Sequence, residues 1–263
     1  MRFRRRQHPQ VVAHRGNSSE HPDNSEAAVR SAMELGADMI EVDVQVTSDG
    51  VGVLFHDDEL VDHGRATTIA ELPYAKVRGI LAPYTLNELL DRAGGVVPLN
   101  LDVKDPAVIP VLVAEIDRRG LHEHVVVSGC TGRVVRRHAE AAERISFLLN
   151  LERWEQGLIH FRLPGPVAGL LREVFRRRLR ASARRHPVVA VNTPKHGVDA
   201  RLLELVHGVG AEVWCYTVDD PEEIERLAGI GVDSITTNHP RAVLAQLGRA
   251  GRPDPDQAAG SSS

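Results

Sequence analysis

Residues 39–46 read MIEVDVQV. Side chains alternate across a β-strand, so Ile40, Val42, Val44 and Val46 share one face, and Glu41, Asp43 and Gln45 share the other. A helical pattern over 25–35 precedes this strand, closed by Gly36, and the short apolar run VVAH (11–14) comes before that. Six comparable runs follow: PLNLDVK (98–104), HVVVSG (124–129), ISFLLN (145–150), VVAVNTP (188–194), EVWCYTV (212–218) and SITTN (234–238). Helical patterns over 107–119, 132–142, 166–185, 199–209, 221–229 and 240–247 fill most gaps. Strands alternating with helices build βαβ units and a parallel sheet. Eight strands in 263 residues predict an α/β fold, a single (β/α)8 TIM barrel, ahead of an open doubly wound sheet.

Local signals support the segmentation. Asp23 and Glu26 read as a capping box for the first helix. Asp220 reads as the cap of a later one, with Pro221 at its first position and Gly229 at its end. The region 51–98 holds an extra extended run, GVGVLFHDD, and a short helix, TLNELLDRAG, which together form a short insertion after strand 2. Residues 1–10 form a basic extension and 11–248 the barrel domain. The Gly-, Pro- and Ser-rich tail 249–263 is expected to be disordered. The basic run RRRLRASARR (176–185) reads as the solvated face of an outer helix.

Composition excludes several functions. A net charge of −4 and 4% aromatic residues do not describe a nucleic-acid binder. No apolar stretch reaches the length of a membrane span, so stable membrane insertion is not expected. The basic N-terminus lacks the apolar segment of a signal peptide, and a cytoplasmic location is expected. Cys130 and Cys215 match no zinc or CxxC spacing and read as buried free thiols.

The polar face of MIEVDVQV breaks the rule that buried parallel strands are nearly continuously apolar. LNLDVK (99–104) breaks it again, with Asn100, Asp102 and Lys104 on one face. Same-face residues lie about 6.6 Å apart along a strand, close enough for two carboxylates to converge on one cation. Unpaired, such carboxylates carry a heavy desolvation cost inside a barrel. Glu41, Asp43 and Asp102 therefore suggest a site for one hard divalent cation, Mg²⁺ or Ca²⁺. Arg15 and Lys104 add positive charge suited to a phosphate. His14, at the tip of strand 1, and His56 are acid–base candidates. Catalytic groups of such barrels lie at the C-terminal ends of strands, where these residues fall.

These residues carry a resemblance. AHRG, PDNS, GADMIEVDVQVTSDG and VGVLFHDD resemble the opening motifs of the glycerophosphodiester phosphodiesterases (HRG, PENT, GAD-x-IE-x-DV-x-x-T-x-DG and V-x-x-HD). LNLDVK resembles their lnIEiK strand, and GAEVWCYTVDD…GVDSITTNHP their closing WTVN and GVD-x-IiTD-x-P segments. The resemblance runs from Val11 to Pro240, more loosely over 120–190. It implies a TIM barrel that cleaves a small-molecule phosphodiester to sn-glycerol 3-phosphate and an alcohol. It also implies metal ligands Glu41, Asp43 and Asp102, a catalytic pair His14 and His56, and phosphate held by Arg15 and Lys104. Which histidine is acid and which is base stays open. Asp102 stands where the family usually has Glu, as in sphingomyelinase D-like phospholipases D, which keeps lysophospholipid cleavage as an alternative. Tyr216 replaces the usual Trp, and Trp214 lies on the same strand face, so both rings are candidates for the substrate pocket. The insertion after His56 is shorter than the family's usual cap, which leaves an open mouth. Asn24 reads as a loop-orienting residue. His196 and His239 follow strands 6 and 8 and are candidates for the mouth.

Overall fold

The computed structural model describes residues 8–62, 64–150 and 188–249, with a few positions within 173–181. Eight parallel strands form a closed barrel: β1 (Gln10–His14), β2 (Met39–Val46), β6 (Leu99–Val103), β7 (Val125–Ser128), β8 (Ser146–Asn150), β9 (Val188–Pro194), β10 (Glu212–Tyr216) and β11 (Ser234–Thr237). Closure comes from β1, which pairs with β11 on one side and β2 on the other. The outer faces of the strands carry Ile40, Val42, Val44, Leu99 and Leu101, which pack with helix residues such as Leu89, Leu112 and Ile116 in one apolar core. Inside the barrel, Val12, Met39, Val126, Leu148, Ala190 and Trp214 form an apolar plug. Burial of apolar surface on both sides of the sheet is the main driving force here.

The insertion begins with β3 (Gly52–Leu54), which pairs antiparallel with the end of β2. A hairpin of β4 (Leu60–Asp62) and β5 (Arg65–Thr67) follows. Helices 74–81 and 86–93 complete it, and a small separate core of Val53, Leu60, Ile69 and Val77 holds it down.

Three boundary expectations are corrected. Ser25, not Asp23, caps the first helix, because its hydroxyl accepts the Ala28 N–H at 3.1 Å. Helix 221–230 ends at Gly231, at φ +86°, rather than at Gly229. The pattern over 132–142 is two short helices, Gly132–Arg137 and Ala139–Arg144, broken at His138. Cys130 and Cys215 are buried free thiols, and burial pushes both up to about 12. Among the described residues, no helix is long and apolar enough to cross a membrane. Residues 1–7, the tail from 250 and most of the expected helix 166–185, with its basic run, lie outside the described residues.

Candidate active site

A cavity of about 330 Å³ opens at the C-terminal ends of the barrel strands. His14, the last residue of β1, lines it. The chain then turns sharply, with Arg15 at φ +54° and Gly16 at φ +81°. A Cβ on Gly16 would sit 2.6 Å from the Ala28 carbonyl carbon, so the turn needs glycine for both conformation and space. The turn aims the Arg15 N–H at Glu41 Oε2, at 2.9 Å.

Glu41 and Asp43 rise from β2 and Asp102 from the neighbouring β6, where Asp43 and Asp102 stand side by side. One oxygen from each carboxylate falls within 4.8 Å of the others. Glu41 is 4% and Asp43 1% exposed. Asp43 is held from several sides. Asn24, itself at φ +57°, donates from Nδ2 to Asp43 Oδ2 at 2.8 Å and accepts the Asp43 N–H at 2.9 Å. Arg15 Nε lies 3.1 Å from Asp43 Oδ2 and Lys104 Nζ 2.9 Å from Asp43 Oδ1. Lys104 also donates to Asp102 Oδ2 at 2.7 Å, and the Ser128 hydroxyl donates to Asp102 Oδ1 at 2.7 Å. Arg15 Nη1 pairs with Asp23 Oδ2 at 2.7 Å, so Asp23 serves the site rather than the helix end.

The electrostatics set Glu41 apart from Asp43. Burial, reinforced by Asp43 and Asp102, raises Glu41 well above the ordinary range. Burial also pushes Asp43 up, but Lys104, Asn24 and Arg15 outweigh it and hold Asp43 below its usual value. Burial opposes the charge on Lys104, yet Asp102 and Asp43 keep its pKa above normal. Three close carboxylates, one of them with its pKa raised by burial and by its two neighbours, suit a hard divalent cation that would relieve the repulsion.

The two histidines have different supports. His14 Nδ1 lies 2.6 Å from Asn238 Oδ1. Asp219 orients that amide: its Oδ2 accepts Asn238 Nδ2 at 2.7 Å and its Oδ1 accepts the Asn238 N–H at 2.8 Å. With Nδ2 committed to a carboxylate, Asn238 presents oxygen to His14, so Nδ1 carries the proton and Nε2 keeps its lone pair. His14 has a lowered pKa, from burial first, with Arg15 adding to it and the Asn238 bond opposing. His56 lines the cavity from the insertion, with Nδ1 2.9 Å from Asp57 Oδ1.

Tyr216 lines the cavity, but Trp214 does not. Trp214 is fully buried in the plug, one inward position deeper on β10, with Nε1 donating to Glu212. Its candidacy as a substrate contact is withdrawn. His196 lies in the turn after β9 and His239 precedes the last helix, and neither lines the cavity. Sequence reasoning passed over Asn238, Asp219, Ser128 and Asn150. For Asp219 and Asn238 the advance signal was the polar pairs DD (219–220) and NH (238–239) that follow β10 and β11.

The sequence profile of the glycerophosphoryl diester phosphodiesterase family matches residues 14–242. The chain belongs to this family. It is a phosphodiesterase-family enzyme, and all the cavity residues named above fall within the match. A glycerophosphodiester phosphodiesterase of Caldanaerobacter subterraneus is 30% identical over 92% of this chain and 98% of its own length. A Bacillus subtilis glycerophosphodiester phosphodiesterase is 24% identical over 88% of this chain and 83% of its own. Among solved structures, the glycerophosphodiester phosphodiesterase of Thermotoga maritima superposes with a TM-score of 0.71 at 18% identity, covering 90% of this chain and 98% of that one. An Oleispira antarctica phosphodiesterase, solved with its product sn-glycerol 3-phosphate, gives 0.69 at 20% identity, covering 92% and 97%. Both confirm the barrel.

Proposed function

We propose that this phosphodiesterase hydrolyses glycerophosphodiesters to sn-glycerol 3-phosphate and an alcohol. One divalent cation, Mg²⁺ or Ca²⁺, would be held by Glu41, Asp43 and Asp102. The observation that carries this reading is the convergence of those carboxylates in a cavity that His14 and His56 also line. When bound, the cation supplies charge that stabilises the phosphoryl oxygens in the transition state. Arg15 and Lys104 bind and orient the anionic diester. His14, protonated at Nδ1, accepts at Nε2 the proton of the nucleophile, either water or the glycerol 2-hydroxyl, whose cyclic phosphate water then opens. His56 delivers a proton to the departing alkoxide. Burial lets His14 stay neutral at a pH where a free histidine is partly charged.

The test is a panel of glycerophosphocholine and glycerophosphoethanolamine with Mg²⁺ or Ca²⁺, read as released glycerol 3-phosphate. Turnover is expected for at least one diester and is expected to vanish with chelator. No product with any diester or metal would defeat the assignment, and turnover that survives chelation would defeat the metal. Asp102, in place of the longer glutamate, supports a second reading, cleavage of lysophospholipids. Faster turnover of lysophosphatidylcholine than of glycerophosphocholine would select it.

A charge change at Asn238 probes the proton assignment. Activity requires neutral His14, so it falls as pH drops through the His14 pKa. In Asn238→Asp a carboxylate at Nδ1 favours the imidazolium, and the acidic limb of the kcat/KM profile is expected to move to higher pH. An unmoved limb would assign that limb to another group.

A further inference from the structure

Gln45 is the third polar residue on the inward face of β2, beyond Glu41 and Asp43. It is 6% exposed, yet it does not line the cavity. A buried amide is costly unless it is hydrogen-bonded, and an apolar residue is the ordinary choice at such a position. Both amide hydrogens of Gln45 are committed. Nε2 donates to the Phe55 carbonyl at 3.1 Å and to the Asp57 carbonyl at 2.8 Å. A carbonyl only accepts, so the chemistry of the partners fixes which way the amide faces. The two carbonyls belong to the residues on either side of His56.

That segment has few other supports. The antiparallel pairing of β2 with β3 ends where the Phe55 N–H donates to the Asp43 carbonyl at 3.1 Å. Phe55 and Leu60 pack with the small core of the insertion, and Asp57, Asp58 and Glu59 between them are exposed. Among the described residues, the backbone N–H groups of His56 and Asp57 make no hydrogen bond. The His56 ring meets the Asp57 carboxylate, which is 70% exposed, and an exposed pair of this kind holds a ring weakly. The Gln45 amide therefore ties the backbone around His56 to the same strand that carries Glu41 and Asp43.

We infer that Gln45 is a positioning residue for His56: by binding the carbonyls on both sides of it, the buried amide sets where the ring enters the cavity. This rests on the reading of His56 as proton donor to the departing alkoxide and adds the residue that holds it there. A proton donor has to stay within hydrogen-bond reach of its target, and a displacement of about 1 Å can cost about 10²-fold in rate.

Gln45→Met keeps the length of the side chain and removes the donor. The first readout needs no turnover. Backbone order parameters of the full chain are expected near about 0.85 at His56 and Asp57 in wild type and below about 0.6 in the variant, while Val42 and Val44 stay rigid. The second is kinetics on the best diester at saturating metal. Gln45→Met should lower kcat at least about tenfold with KM within about twofold. In a His56→Ala background the same substitution should change kcat by less than about twofold, because a residue that acts through His56 has nothing left to act on. A merely structural role would carry its full loss into that background. Unchanged order at His56 and Asp57, an unchanged kcat, or a loss that multiplies with that of His56→Ala would overturn the inference. If Gln45→Met fails to fold, Gln45→Glu, which keeps the shape and offers a carboxylate to both carbonyls, is held to the same expectations. Loosening at His56 and Asp57 in a chain whose wild type turns over no diester would sink the hydrolytic reading and leave the positioning standing.

Discussion

Alanine in place of His14 is expected to lower kcat by about 10²–10⁴-fold, the usual contribution of a positioned proton-transfer group. The fold should persist. The ring meets Asn238, whose amide stays anchored on Asp219 without it, and Glu41, whose Oε2 lies 3.8 Å from Nε2. His56→Ala should cost a similar factor, and its more exposed ring, paired among the described residues with neighbouring Asp57, should leave stability nearly unchanged. Measuring kcat on the best diester alongside thermal melts checks both. The mechanism requires the effects to be non-additive, because one histidine cannot transfer both protons in a single step. A double variant slower than wild type by the full product of the two losses would indicate that the histidines act independently. Full activity in either single variant would remove that histidine from the reaction.

The barrel was legible because its periodicity is long and regular. All eight strands fall within a residue or two of their expected bounds, since each is a β-branched run between a helix end and a new cap. The metal-type carboxylates were legible for a different reason: Glu41, Asp43 and Asp102 violate the apolar rule for buried parallel strands. Depth along the barrel axis was not legible. Trp214 and Tyr216 have the same parity, and parity gives the face but not the layer. The register sets Trp214 beside Asn192 and Ser234 and Tyr216 one inward position nearer the strand ends, and of the two rings only Tyr216 lines the cavity. Partner choice was also hidden. Asp23 has the spacing of a capping box, but Ser25 is one turn position better placed, which leaves Asp23 free to hold Arg15. The His14–Asn238 contact joins positions 224 residues apart, and no local pattern encodes it.

Among the three carboxylates, substitutions should agree in activity and disagree in stability. Asp43→Asn and Glu41→Gln are both expected to abolish metal-dependent turnover, since each removes a charged ligand oxygen. In the metal-free protein, held in chelator, their melting temperatures should move in opposite directions. Asp43 sits among Lys104, Arg15 and Asn24, which together outweigh burial and favour its ionised form. Removing its charge leaves Arg15 with only Asp23 and Lys104 with only Asp102. Loss of one partner from a buried pair costs about 3–5 kcal/mol, and because each cation keeps a second partner the low end is expected. Glu41 is the reverse case. Burial and the two neighbouring carboxylates disfavour its ionised form, so its folded-state pKa is raised. For an acid shifted that way, the stability contribution is present below the unfolded carboxylate pKa and is lost as pH rises through the folded one. Glu41→Gln removes that loss while its amide oxygen can still accept the Arg15 N–H, so the variant should melt above metal-free wild type, by a margin that widens as pH increases. Adding metal should reverse the order, stabilising wild type and neither variant. Parallel shifts of the two variants in chelator would mean that the carboxylates behave as one repelling cluster, with Lys104 and Arg15 contributing nothing selective to Asp43.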